Sequence, residues 1–307
     1  MRAKDLLIGM GCVALLCLPA RAQAVDKFSI SFPASLHAGP ITGRAFVVIA
    51  KTDTPEPRLG ADSWGDAPLF GVDVNKLAPD ETALIDESTF GAPVPSLRNI
   101  PAGDYFVQAI LNIYTEFHRA DGHTVWLHMD QWEGQHFNRS PGNLYSAVQR
   151  VHLDPAAGYN IMLSLTKVIP PVEVPPDTPW VKHLKIQSEM LTKFWGHAMY
   201  IGAIVLLPKG YDEHPNAHYP VIYEQNHFSL RPPFGFSTED RPVPPELRTL
   251  LTNLNRETGY EFYQAWNSEN FPRMIAVTFQ HPTPYYDDSY AVNSVNNGPY
   301  GDALVKR

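Results

Sequence analysis

The densest run of side chains able to do chemistry is Tyr285-Tyr-Asp-Asp-Ser-Tyr290, three phenols, two carboxylates and a hydroxyl in a row. Such a loop can bind a small molecule through aromatic faces and carboxylates, and Asp288, Ser289 and Tyr290 are its candidate substrate-lining residues. The competing use is structural: an aspartate ahead of a helix accepts backbone N–H groups of the first turn, a reading that suits Asp287. Histidine offers less. His123, His128, His136 and His152 show neither H-x-H nor H-E-x-x-H spacing, so no metal site is expected and no cofactor is implied. Trp126, Trp132, Phe137 and Tyr145 could form a sugar-binding platform, but aromatics in a β-rich region more often fill its core. Asn138-Arg-Ser140 matches a glycosylation acceptor, a motif too common to discriminate.

The elements that must position these groups change character along the chain. Phe28, Ile30 and Phe32 alternate with serines, which places an apolar face on a short strand. Further strands are expected at 45–49, 69–74, 105–114, 125–129, 147–153 and 160–166, separated by Pro, Gly, Asp and Asn turns. Many short strands with turns between them predict an immunoglobulin-like β-sandwich over residues 25–168. Residues 169–179 hold five prolines and read as a semi-rigid linker. Beyond it, strand patterns at 200–207, 220–223 and 273–280 enclose a helical spacing of Leu247, Leu250, Leu251 and Leu254, with Gly259 where a C-cap belongs. Gly298 to Arg307 read as the start of another helix. Strand, strand, helix, strand, helix is the opening of a doubly wound sheet over residues 180–307. The strand ends near residues 226 and 287 are then expected to face one cleft.

Residues 1–24 carry Arg2 and Lys4, an apolar run from Leu6 to Leu18, and Ala22-Gln-Ala24, the pattern of a signal peptide cut near Ala24. The apolar run is shorter than the roughly 20 residues of a spanning helix. A periplasmic or secreted protein is expected. Both cysteines, Cys12 and Cys17, lie in this leader, so the remainder has no disulfide, no thiolate zinc site and no cysteine nucleophile. The chain carries a net charge of −8, and losing the leader makes it more acidic, which speaks against nucleic acid or anionic lipid as a partner.

Ile204-Val-Leu-Leu-Pro-Lys-Gly-Tyr-Asp212, followed by His218-Tyr-Pro-Val-Ile-Tyr223, resembles a strand pair of the esterase family that includes enterochelin esterases and esterase D. Its members read "v-x-L-P-x-g-Y" and then "Y-P-V-l-Y-l-l-H-G". Phe271-Pro-Arg-Met-Ile-Ala-Val-Thr-Phe279, Tyr285 to Tyr290 and Asn297-Gly-Pro-Tyr-Gly301 look like the next strand and the loop beyond it, so the resemblance covers residues 196–307. It implies an α/β-hydrolase unit acting on a small-molecule ester, with a serine on a G-x-S-x-G elbow followed by an acid and a histidine. No G-x-S-x-G occurs in the 307 residues, so the triad is expected beyond Arg307, the hydrolase unit is read as truncated, and no catalytic residue is assigned. Asn226-His227 stands where the family has His-Gly, so Asn226, His227 and Phe228 become the candidate oxyanion loop, with a backbone donor at Phe228 or beside it. The alternatives are an exported binding module without catalysis, or an inactive gene remnant.

Overall fold

The computed structural model describes residues 25–61, 67–225, 231–285 and 288–306. The expected leader lies outside them. Among the described residues no helix is long and apolar enough to cross a membrane. They form a mixed α/β protein, mostly β-sheet with a few short helices.

Ten strands precede the proline run: β1 (Asp26–Ser31), β2 (Ile41–Ala50), β3 (Leu69–Leu77), β4 (Ala83–Asp86), β5 (Gly91–Ala92), β6 (Gly103–His118), β7 (Thr124–His128), β8 (Leu144–Ser146), β9 (Gln149–Leu153) and β10 (Tyr159–Val168). They make one sheet in the order β4-β1-β10-β8-β6-β2-β3-β5, with β7 and β9 also paired to the long β6. β1 and β10 run parallel; the other pairs are antiparallel. Alternation explains the core, because a strand sends successive side chains to opposite faces. β2 buries Ile41, Ala45, Val47 and Ile49, while Thr42, Arg44 and Phe46 point the other way. The sheet curls, so Phe28 of β1, Phe70 of β3 and Val107 of β6 meet in one cluster.

After the prolines come β11 (Val181–Gln187), α1 (Glu189–Trp195), β12 (Tyr200–Leu206), β13 (Val221–Glu224), α2 (Pro245–Asn253), α3 (Gly259–Trp266), β14 (Ile275–Gln280), the short pair β15 (Asn293–Ser294) and β16 (Gly298–Pro299), and α4 (Tyr300–Val305). The second sheet has the order β11-β12-β14-β13; only β13 and β14 are parallel. Buried Trp266 of α3 packs with Phe236 on Ile204, Leu206 and Ala276, on one face. Leu191 of α1 packs with Tyr300 and Ala303 of α4, joined by Ile201 of β12.

The strand expected at 147–153 begins at Gln149, with β8 ending at Ser146 before it, and the helix boundary expected at Gly259 is misplaced as well. Gly259 does not cap the helix before it but opens α3, because Thr258 and Glu261 form a reciprocal capping box that starts a helix there. A side chain at 259 would also strike the Gly235 carbonyl at 2.1 Å. The leucine stripe of α2 does not reach a core: Leu247, Leu250 and Leu254 are all exposed. β13 is an edge strand whose Val221, Ile222 and Tyr223 are likewise exposed among the described residues.

Candidate functional site

Parallel strands deliver their following loops to the same edge of a sheet, and ligands of such sheets bind at the carboxyl ends. Here the pairing Glu224↔Thr278 brings the ends of β13 and β14 side by side. Gln225 follows β13 directly, and His281 follows β14. Their side chains meet, Gln225 Nε2 lying 3.2 Å from His281 Nε2. The other ring nitrogen, Nδ1, lies 2.9 Å from Ser289 Oγ, and the Ser289 N–H donates to the His281 carbonyl. His281 is fully buried and Ser289 nearly so. One imidazole therefore ties the loop after β13 to the loop after β14.

The turn that carries Ser289 is held by its own side chains. Asp288 Oδ1 accepts the Tyr290 N–H at 2.6 Å, and Ser289 Oγ accepts the Ala291 N–H at 3.2 Å. Tyr290 and Ala291 both take the left-handed conformation, with φ of 50° and 54°, uncommon for residues with a β-carbon. The turn buries Asp288 and leaves Tyr290 57% exposed.

Proton placement decides what Ser289 can do. With the Gln225 amide nitrogen directed at Nε2, a neutral ring accepts there and donates its Nδ1 proton to Ser289 Oγ. Such an imidazole has no lone pair left to take the serine proton. Ser289 is positioned in this arrangement rather than activated as a nucleophile.

Of the residues singled out from the sequence, Asp288, Ser289 and Tyr290 fall together at this edge. Asn226, His227, Phe228 and Asp287 lie outside the described residues; Gln225 is the described residue just before the first three in sequence. Pattern reasoning missed Gln225 and His281. The signal for His281 was available: it is the first residue after a buried strand, where doubly wound sheets place ligand-facing groups.

A loop of the first sheet closes over the same edge. The Asp130 N–H donates to the Pro284 carbonyl at 3.1 Å, and the Phe117 ring packs on Tyr285 at 4.9 Å. Asp130 accepts the N–H groups of Trp132 and Gln135, at 2.7 and 2.8 Å. Burial first, and then the nearby Glu133 carboxylate, push the Asp130 carboxyl up to about 7, against the pull of those two hydrogen bonds. Beside it, His128 Nε2 lies 2.6 Å from Glu133 Oε1 and its Nδ1 lies 2.8 Å from Asn112 Oδ1. Asn143 orients that amide: it accepts the Ile113 N–H, donates to the Phe137 carbonyl and donates to Asn112 Oδ1, so His128 Nδ1 must donate. Tyr300 anchors the far side by donating to the Pro282 carbonyl at 2.7 Å, and burial raises its phenol above the usual range.

The four aromatics do not build one platform. Phe137 stacks on Phe46 at 4.6 Å and Tyr145 packs beneath Arg58, both against the first sheet, while Trp126 is exposed on β7 and Trp132 belongs to the closing loop. Asn138 is buried and donates to the Arg58 carbonyl, so the folded chain does not present it for glycosylation. Among the described residues no three His, Cys, Asp or Glu side chains converge on a metal-sized point. No family model and no curated protein matches the chain.

Proposed function

We propose that this chain carries the ester-facing part of an exported carboxylic-ester hydrolase of the enterochelin esterase and esterase D type, with an immunoglobulin-like sandwich ahead of an α/β-hydrolase unit. The observation that carries this reading is the Gln225–His281–Ser289 contact, which gathers the loops after two parallel strands at one carboxyl edge. The strand order β11-β12-β14-β13, with a helical crossover from β13 to its parallel neighbour, agrees with it.

In this reading the residues at the edge bind and orient an ester. Gln225, His281 and Ser289 hold the ends of the two parallel strands together, and Tyr290 covers the acyl or alcohol group. No G-x-S-x-G elbow occurs among the 307 residues, and none of them is assigned the bond-breaking step.

The test is a titration of the leaderless chain with phenyl acetate, followed by NMR at the Gln225 side-chain amide and the His281 ring. Saturable shifts at both are expected. Shifts confined to the first sheet would favour a binding module without hydrolase ancestry, and no shift at all would remove the proposal.

A further inference from the structure

The inward-facing row of β1 begins with a carboxyl group. Burial alternates along the strand, so Asp26, Phe28 and Ile30 face the core while Lys27, Ser29 and Ser31 do not. Asp26 is 1% exposed, and its Oδ1 has no hydrogen-bond partner among the described residues. Paired with it across the parallel strands is Tyr159, whose hydroxyl is likewise buried without a partner among them. Buried polar groups are normally hydrogen-bonded, and a buried carboxylate calls for a cation as well.

The surroundings hold more negative charge than positive. Burial first, and then Glu87 beyond β4, push the Asp26 carboxyl up, and Asp154 beyond β9 adds to them. Arg98 and a backbone contact at Tyr159 pull it down, but the Arg98 guanidinium already pairs with Glu87. Tyr105 of β6 is the other titratable group near Tyr159, and Lys51 lies on its ring, 3.4 Å from the centroid. Three carboxylates thus share one guanidinium.

The chain has a place to make another cation. Val25 directly precedes Asp26, is 52% exposed, and has its carbonyl fixed by the Tyr159 N–H at 3.1 Å. Hydrolysis of the Ala24–Val25 peptide bond by water leaves a carboxylate on Ala24 and an α-ammonium on Val25. Consecutive α-carbons are about 3.8 Å apart, which puts that ammonium within side-chain reach of the Asp26 carboxylate.

We propose that removal of the leader completes the first sheet: the α-ammonium freed at Val25 donates to Asp26 and to the Tyr159 hydroxyl, and the cleaved chain is more stable than one extended ahead of Val25. The inference rests on the export part of the reading above and not on ester binding.

The experiment compares a chain beginning at Val25, released from a fusion by a protease that leaves no extra residue, with one that retains Ala24. Each is also made with Asp26→Asn. In urea unfolding at pH 7 the retained alanine should raise the unfolding equilibrium constant roughly ten- to hundredfold, and Asp26→Asn should bring the two starts within about twofold of each other. Carbon NMR at Val25 of the wild-type chain should show the α-amine titrating above the roughly 7.7 to 8.0 of an unpaired terminus. Its folded value is then the raised one, so the advantage of the Val25 start is present below that range and fades as pH rises through the folded value. The titration also decides the matter if Asp26→Asn does not fold. An ordinary amine titration, equal stability of the two starts, or a difference that survives in Asp26→Asn overturns the inference alone. Export is judged separately, by N-terminal sequencing of protein secreted from cells that express the full chain, which should begin Val25-Asp-Lys27. Another start, or no secretion, fails the export reading, and this inference falls with it.

Discussion

Replacing Asp130 by asparagine should change how stability depends on pH, and in a direction opposite to that of most carboxylates. The Asp130 carboxyl is pushed from an ordinary 3.8 up to about 7 by burial and by Glu133. Its folded value lies above its unfolded one, so the folded protein holds the extra proton between about pH 4 and pH 7. The stabilisation is complete below the unfolded value and disappears as pH rises through the folded one. Linkage over a shift of that size gives about 3 kcal/mol lost between pH 4.5 and 7.5. Asparagine has no such proton to lose. It also has one acceptor oxygen for the two N–H groups of Trp132 and Gln135, so the variant carries a pH-independent penalty of about 1 to 3 kcal/mol. Equilibrium urea unfolding of both proteins at several pH values checks this. The stability advantage of wild type over the variant should be largest near pH 4.5 and shrink toward pH 7.5. A difference that stays constant across that range would show that Asp130 keeps its charge throughout and that burial of this loop is weaker than described.

Three further outcomes are expected. Trp266→Ala should lower stability by about 3 to 5 kcal/mol in the same unfolding assay, because the buried indole packs among Phe262 and Phe271 and donates to the Leu207 carbonyl at 2.9 Å. The leaderless chain should release nitrophenolate from p-nitrophenyl acetate no faster than a boiled control; release abolished by a serine-directed phosphonate would contradict the positioned, unactivated Ser289. Cleavage by a glutamate-specific protease should begin at Glu173, in the exposed stretch without secondary structure between β10 and β11, and the two products should co-elute, held by the Asp130–Pro284 and Phe117–Tyr285 contacts. Separate elution would show those contacts to be too weak to join the sheets.

How much was legible beforehand follows from the range of each interaction. Local alternation announced β1, since a strand that buries one face must alternate, and apolar runs bounded by turn residues announced β2, β6 and β10; the middle of β6 is buried on both faces. The buried pattern at 273–280 became β14, and the run from Gly298 became α4. β11 escaped notice because Val181 to Gln187 mixes lysines, histidine and glutamine with its apolar residues, and it is a strand chiefly through pairing with β12. α1 escaped because its seven residues are too few for a helical period, although Ser188 and Gly196 cap it at either end. Thr258-Gly-Tyr-Glu261 was a legible capping box that the leucine spacing overshadowed.

The sequence by itself determined the division into a β-rich first part and an α/β second part on either side of the proline run, and the polar loop at 285–290, because these depend on neighbours a few residues apart. Only the tertiary structure decided that Gln225 meets His281 across 56 residues, since that contact requires β13 and β14 to lie parallel in one register. The same holds for Trp132 against Gly202, a packing between two sheets that no local pattern encodes. A side chain's type and spacing state what it can do; the strand register and the packing of one sheet on another state what it is next to, and the candidate site consists of such neighbours.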